Sequence, residues 1–159
     1  MNNQFEYLKK SNIGYELIKM EKAVHSVKET AEYLNCNYEK IIKTLVVYDV
    51  LNPEKMSCVA IPGNAKLDFH KINNVLNYRR LKLLPVDEVF KKTGMQIGSI
   101  PPFGTGYDHY YDINILNQDY IYAGSGNPEY LIKFDPKQLK HPQNKDLFGD
   151  FCKGPAGPS

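Results

Sequence analysis

Apolar and polar positions alternate along this chain with two periods, and the switches between them mark the elements. Phe5 and Leu8 share one face of a short amphipathic helix predicted over residues 3–11, which Gly14 ends. Residues 15–20 alternate as a strand, with Tyr15, Leu17 and Ile18 supplying apolar surface. Ser26 and Glu29 form a capping box that opens a helix running to Leu34. Val27, Ala31 and Leu34 face inward there, and Asn35 serves as the C-cap. The segment IIKTLVVYDV, residues 41–50, is the most strand-like stretch. A second strand over 56–61 follows the turn-like Asn52-Pro53, which predicts a hairpin. Asp68 caps a helix carrying Ile72, Val75 and Leu76. Residues 79–84 read as a short strand, and 85–92 as a helix with proline in its first turn and Gly94 at its end. After a Gly/Pro-rich loop come strands around 109–115, 119–123 and 129–134, then a short helix over about 136–140 opened by Asp135-Pro136.

About seven strands and about five helices joined by short connections predict an α/β chain of the α+β type. The expected core is a mixed, largely antiparallel sheet, curled, with helices packed outside, rather than a doubly wound parallel fold. Periodicity fades after residue 140, and the chain finishes KGPAGPS, which reads as a flexible tail, a cloning remnant or a linker. One domain over 1–140 with an extension over 141–159 is the expected organisation. The composition, 42% hydrophobic and 24% charged, excludes a disordered chain. No apolar run is long enough for a membrane-spanning helix, and the polar start is unlike a secretory signal. A net charge of +2 excludes a broad electrostatic clamp for nucleic acid and leaves room for a local basic patch. Cys36, Cys58 and Cys152 are odd in number and lack CxxC spacing, so neither a disulfide scaffold nor structural zinc is expected, and a reducing cytoplasm is the simplest location.

Candidate chemistry begins at Lys43. In strand geometry Ile41, Lys43, Leu45 and Val47 share one face, and Ile42, Thr44, Val46 and Tyr48 share the other. Both faces are largely apolar, so the lysine sits in a strand buried on two sides. It must either meet an anion or snorkel to the sheet edge. The loop Gly98-Ser99-Ile100-Pro101-Pro102-Phe103-Gly104-Thr105-Gly106 combines close backbone approach with a fixed path. Such a loop suits either a set of N–H donors or a rigid turn. Gly124-Ser125-Gly126 is a tight turn or a small-residue pocket wall. His25 precedes the capping box, where it can carry a proton or serve structure, and Asp112 can face a pocket or pair with a lysine. No serine, cysteine or metalloenzyme nucleophile motif occurs.

Taken in order, several of these pieces form a combination. They are His25, Thr30-Ala31, Ile41-Ile42-Lys43-Thr44-Leu45-Val46-Val47, Pro62-Gly63-Asn64, Leu67-Asp68, Thr93-Gly94, Gly98-x-x-x-Pro102-Phe103-Gly104, Asp112 and Gly124-Ser125-Gly126. The combination resembles the YbaK/ProX family of aminoacyl-tRNA deacylases, also found as the editing domain inserted in bacterial prolyl-tRNA synthetases, and it covers about residues 14–140. The resemblance implies a barrel-like mixed sheet and hydrolysis of the ester joining a wrong amino acid to tRNA, with alanyl- or cysteinyl-tRNA-Pro as the expected substrate. It implies no metal and no cofactor. It places Lys43, Gly98 and Pro102 in catalysis, with the lysine engaging the terminal adenosine's phosphate and the GxxxP loop meeting the aminoacyl carbonyl. It places His25, Thr30, Ser99, Ile100, Pro101, Phe103, Gly104, Asp112, Gly124, Ser125 and Gly126 around the substrate. Pro101 beside Pro102 departs from the pattern by removing one more donor. The implied partner is the acceptor 3′ end of mischarged tRNA, with a prolyl-tRNA synthetase as a candidate presenting partner. Arg79, Arg80, Lys82, Lys91 and Lys92 form either a phosphate-contacting patch or a solvated face. Two other readings stay open: a non-catalytic module binding aminoacyl-tRNA or a nucleotide, and a detached editing domain of a synthetase.

Overall fold

The structure, a computed structural model, describes residues 3–21, 26–140 and 147–154. Helix α1 (Asn3–Lys10) leads into strand β1 (Tyr15–Lys19), and α2 (Val27–Leu34) follows. The Ser26 half of the predicted capping box forms: Ser26 Oγ accepts from Glu29 N–H at 3.1 Å and its hydroxyl donates to Glu29 Oε1 at 3.3 Å, and Asn35 closes α2 in the left-handed region at φ 53°. Strands β2 (Ile42–Asp49) and β3 (Asn52–Pro62) make the predicted hairpin. Its turn falls earlier than Asn52-Pro53, because the buried Asp49 carboxylate accepts N–H bonds from Leu51, Arg79 and Arg80 and ties the corner there. Helix α3 (Phe69–Leu76), capped by Asp68, strand β4 (Leu81–Leu83) and helix α4 (Val86–Thr93), closed by Gly94, come next. Strand β5 (Asp108–Asp112) is shorter than expected, since Asp112 caps a 3-10 turn over Ile113–Asn117. Strands β6 (Ile121–Gly124) and β7 (Tyr130–Phe134) follow, and then a 3-10 turn over Pro136–Leu139.

The strands form two sheets. One is three-stranded and antiparallel, in the order β1-β7-β6. The other has the order β4-β2-β3-β5-β8, in which β8 is the short strand Phe148–Gly149, with parallel pairing at β5. The mixed α+β class is as expected, but the curled sheet does not close into a barrel. Among the described residues the two sheets are joined by a parallel bridge, Ile41 to Tyr122.

Residues 147–154, expected to belong to an unpacked extension, return to the core. Strand β8 (Phe148–Gly149) pairs with β5, and Phe151 and Cys152 are buried against Val47, Val59, Ile61, Leu67 and Ile72. The aromatic and thiol side chains of this stretch give it apolar surface, and its backbone is claimed by Asp112 Oδ1, which accepts from Phe151 N–H at 2.9 Å. Strand β2 is packed on both faces, as its pattern predicts. Leu45 and Val47 join the cluster just named, Val46 and Tyr48 pack with Met56, Leu84, Val89 and Ile100, and Ile42 joins Phe103, Ile115, Ala123 and Ile132. Each fully buried aliphatic side chain contributes about 1.5–3 kcal/mol, so together these clusters offset the several kcal/mol that half-burying one ammonium among them costs.

Candidate functional site

A cavity of about 230 Å³ opens at the Ile41–Tyr122 bridge between the sheets. Its walls are Ser26 with Val27 and Thr30 of α2, Ile41 and residues Ile42–Leu45 of β2, Ile97 beside Gly98 and Ile100 of the Gly/Pro loop, Tyr122–Gly124 of β6 and Leu131 of β7. The volume lies below the roughly 300–1,000 Å³ of pockets that enclose drug-sized ligands, so it suits a small acyl group rather than a whole nucleotide.

The backbone explains why β2 offers an edge here. Ile41 C=O accepts from Gly63 N–H on the β3 side, whereas Val46 C=O accepts from Leu84 N–H on the β4 side. Alternation along the strand then turns the N–H and C=O of Thr44 away from β3, into the cleft between the β4 pairing and the Ile41 bridge. The hydroxyl of Thr44 is buried and has no hydrogen-bond partner among the described residues. Gly63 seats α2 on this strand: a Cβ there would lie 2.6 Å from Val27 Cγ1 and 2.7 Å from Ile41 O.

Lys43 is half-buried and lines the cavity. Burial lowers its ammonium from the ordinary lysine value, the Cys152 thiol opposes that shift, and neighbouring Lys66 adds to it. Among the described residues no hydrogen bond or ion pair receives this ammonium. Thr30 presents only its methyl group as free surface, because its Oγ1 donates to Ser26 C=O at 2.8 Å.

The Gly/Pro loop divides into a cavity-facing part and an anchoring part. Gly98 adopts φ +90°, and Gly98 and Ile100 line the cavity. Ser99 does not: its N–H and Oγ both donate to Gln96 C=O, at 3.0 and 2.8 Å, while its carbonyl accepts from Gly126 N–H at 2.7 Å. Pro101 and Pro102 are buried away from the lining and carry no N–H. Phe103 is an anchor, stacked on Tyr7 at 5.0 Å and tilted against Phe134. Gly104, at φ +70°, turns the chain after it. Among the described residues no hydrogen bond uses the N–H groups of Gly98 and Ile100, the two loop residues from 98 to 106 that line the cavity. Gly124 must be glycine, since a Cβ would meet Ser99 C and O at 2.6 Å. Ser125 Oγ donates to Asn127 and Tyr130 carbonyls and shapes the turn.

The structure thus brings Lys43, Thr30, Gly98, Ile100 and Gly124 together. Ser99, Pro101, Pro102, Phe103, Gly104, Ser125 and Gly126 lie behind them as support. Asp112 is elsewhere: its fully buried carboxylate accepts from Asn114 N–H and Nδ2 and from Phe151 N–H, clamping the returning C-terminal segment. His25 lies outside the described residues. Sequence reasoning missed Thr44, Val27, Ile97, Tyr122 and Leu131. Apart from Thr44 their apolar or aromatic character was visible, but nothing local showed that α2, β2, β6, β7 and the Gly/Pro loop would converge on one gap. Burial pushes Cys152 up to about 12, with Asp112 adding to the shift, and Cys58 up to about 11, so neither thiol is a ready nucleophile. Among the described residues no three His, Cys, Asp or Glu side chains gather as a metal-binding group.

Residues 21–141 match the family described as the aminoacyl-tRNA editing domain. The chain belongs to that family. Among curated relatives, the editing domain is 24% identical over 140 residues to the uncharacterized protein YwhH of Bacillus subtilis, covering 87% of each. It is also 24% identical over 110 residues to the proline–tRNA ligase of Caldicellulosiruptor saccharolyticus, covering 69% of this chain but only 19% of the ligase. The fold is shared with a crystal structure described as a candidate trans-editing enzyme for prolyl tRNA synthetase, at a TM-score of 0.77, 23% identity and 96% coverage of both chains.

Proposed function

We propose that this editing domain is an aminoacyl-tRNA deacylase acting in trans on tRNA carrying a small mismatched amino acid, alanyl- or cysteinyl-tRNA-Pro. The observation that carries this reading is that a half-buried ammonium, Lys43, unpaired among the described residues, lines the same small cavity as Gly98. The relatives of prolyl-tRNA synthetase type support the choice of tRNA, and the likeness to a structure described as a trans-editing enzyme supports action in trans.

The chemistry follows from these groups. Lysine is a compact point charge suited to a phosphate, so Lys43 holds the 3′-terminal nucleotide while the acyl group enters the cavity. The N–H groups of Gly98 and Ile100 stabilise the oxyanion that develops on the ester carbonyl, and one such donor is worth about 3–4 kcal/mol, or roughly 10²–10³ in rate. Water attacks the carbonyl carbon, its proton passes to the substrate's 2′-oxygen as the 2′-hydroxyl proton goes to the departing 3′-oxygen, and the amino acid leaves as the carboxylic acid; the substrate's own hydroxyl serves because no protein base stands at the described cavity wall. An apolar cavity gains only about 1–3 kcal/mol per methylene, so selection rests on size exclusion by walls such as Leu45, Ile97, Ile100 and Leu131.

Single-turnover deacylation of alanyl-, cysteinyl- and prolyl-tRNA-Pro tests the reading. Hydrolysis of a small acyl group with prolyl-tRNA spared, and a loss of about 10²-fold or more in Lys43→Ala, are expected. Near wild-type turnover by Lys43→Ala, or equal hydrolysis of all three, would overturn it.

A further inference from the structure

Of the basic residues expected as a patch or a solvated face (Arg79, Arg80, Lys82, Lys91 and Lys92), Lys82 stands well away from Lys43. Lys82 pairs with Tyr48, five residues along β2 from Lys43, or roughly 17 Å at strand rise. A different group of cations adjoins the site. Tyr122 lines the cavity and also packs edge-on against Tyr120, with ring centroids 5.7 Å apart. Over the Tyr120 ring stand two ammonium groups from distant parts of the chain, Lys40 Nζ at 4.0 Å and Lys133 Nζ at 4.3 Å from its centroid, and Lys133 also lies 5.8 Å from the Tyr122 centroid. The ring therefore keeps two like charges within about 8 Å of each other. Lys137 adds a third cation nearby, its Nζ donating to Gln118 C=O at 3.3 Å. The opposing charge is thin. Asp119, largely exposed, pairs with Lys40 at 2.9 Å, while Glu16 faces Lys133 across the β1–β7 pairing without closing an ion pair.

We propose that Lys40 and Lys133, gathered on Tyr120, form a phosphate clamp for the single-stranded 3′ end of RNA whose acylated tip enters the adjoining cavity. The proposal rests on the function proposed above for the substrate's identity. Its physical grounds are the continuity of the patch with the cavity through Tyr122 and the charge complementarity of paired lysines to phosphodiesters. The aromatic ring orients the ammonium groups without neutralising them, so they keep their charge for a ligand.

The test is fluorescence anisotropy with an unacylated, labelled RNA oligonucleotide carrying the tRNA 3′ sequence, run across a salt series beside single-turnover deacylation. Lys133→Gln and Lys40→Gln should each weaken binding severalfold and lower the slope of log affinity against log salt by about 0.7. Asp119→Asn should tighten binding, and Lys133→Arg should restore it. In deacylation the half-saturating RNA concentration should rise while the saturated rate stays put. Unchanged affinity and salt slope in the Lys40→Gln/Lys133→Gln double variant, with an unaltered melting temperature, would overturn the clamp even if hydrolysis were intact. Lysine-dependent binding by a protein that hydrolyses no acyl-RNA would instead uphold the clamp and overturn the deacylase reading.

Discussion

At the scale of single residues, the cavity is defined by groups whose hydrogen-bonding capacity is either used up or conspicuously spare. Ser99, Thr30 and Ser125 spend theirs on neighbouring carbonyls, whereas Thr44 Oγ1 spends nothing among the described residues. A buried hydroxyl without a partner forfeits about 1–3 kcal/mol. Thr44→Val, nearly the same shape, should therefore leave the free protein as stable or up to about 2 kcal/mol more stable in urea unfolding, while deacylation slows. A clear loss of stability would mean that the hydroxyl already has a partner. Gly124→Ala should do the opposite kind of damage. Its Cβ meets backbone atoms of Ser99 and Ile100 rather than a flexible side chain, so the loop must move. An expected cost of about 1–3 kcal/mol in urea, together with slower deacylation, would register that displacement.

At the scale of elements, the segment over residues 147–154 acts as a backing wall for β2 and α3. Asp112 holds its Phe151 N–H, Asp68 N–H donates to Phe151 C=O, Lys71 bonds both Asp150 and Cys152 C=O, and Lys153 N–H donates to Lys66 C=O. Cys152 and Lys66 are also the groups that act electrostatically on Lys43. Asp112→Ala strands the buried N–H groups it serves and should lower stability by about 2–4 kcal/mol in urea, with the half-saturating RNA concentration little changed. A large rise in that concentration without loss of stability would restore Asp112 to the substrate. The reassignment was illegible in the sequence, because an aspartate ending a strand looks the same whether it faces a pocket or a segment 39 residues away. Elements whose signal is local form where the sequence predicts them. The Ser26, Asp68 and Gly94 caps and the β2–β3 hairpin each depend on residues within a few positions of one another.

At the scale of the whole molecule, stability should carry an acid limb set by His109. Thr105 N–H donates to its Nε2 at 3.3 Å, so that nitrogen carries a lone pair, and burial lowers the ring from 6.5 to about 4. Between those values the unfolded chain binds the proton and the folded one does not. Stability therefore rises with pH through this window and falls as pH drops from about 6.5 toward 4, by at most about 3 kcal/mol. Urea midpoints at pH 7.0, 5.5 and 4.5 should decline for the wild type and much less for His109→Gln, which cannot titrate; equal declines in the two would remove His109 as the cause. Asp49 adds its own loss only at lower pH. Burial pushes its carboxyl up, but the backbone N–H groups of Arg79, Arg80 and Leu51 outweigh this and hold it below the ordinary value.

By itself the sequence determined the parts whose physics is short-ranged: the caps, the two-sided burial of β2, the stiffness of the Gly98–Gly106 loop and the ordered motif pointing to an editing domain. The tertiary structure decided what depends on separation in space. Two sheets touch at Ile41–Tyr122, and both residues line a cavity no local pattern encodes. The same folding turns Asp112 inward, returns Phe151 to the core, and sets Lys40 and Lys133 on one ring. Periodicity and capping record what a residue does with neighbours a turn or a strand step away. Which distant surfaces will share an edge depends on the packing of the whole chain.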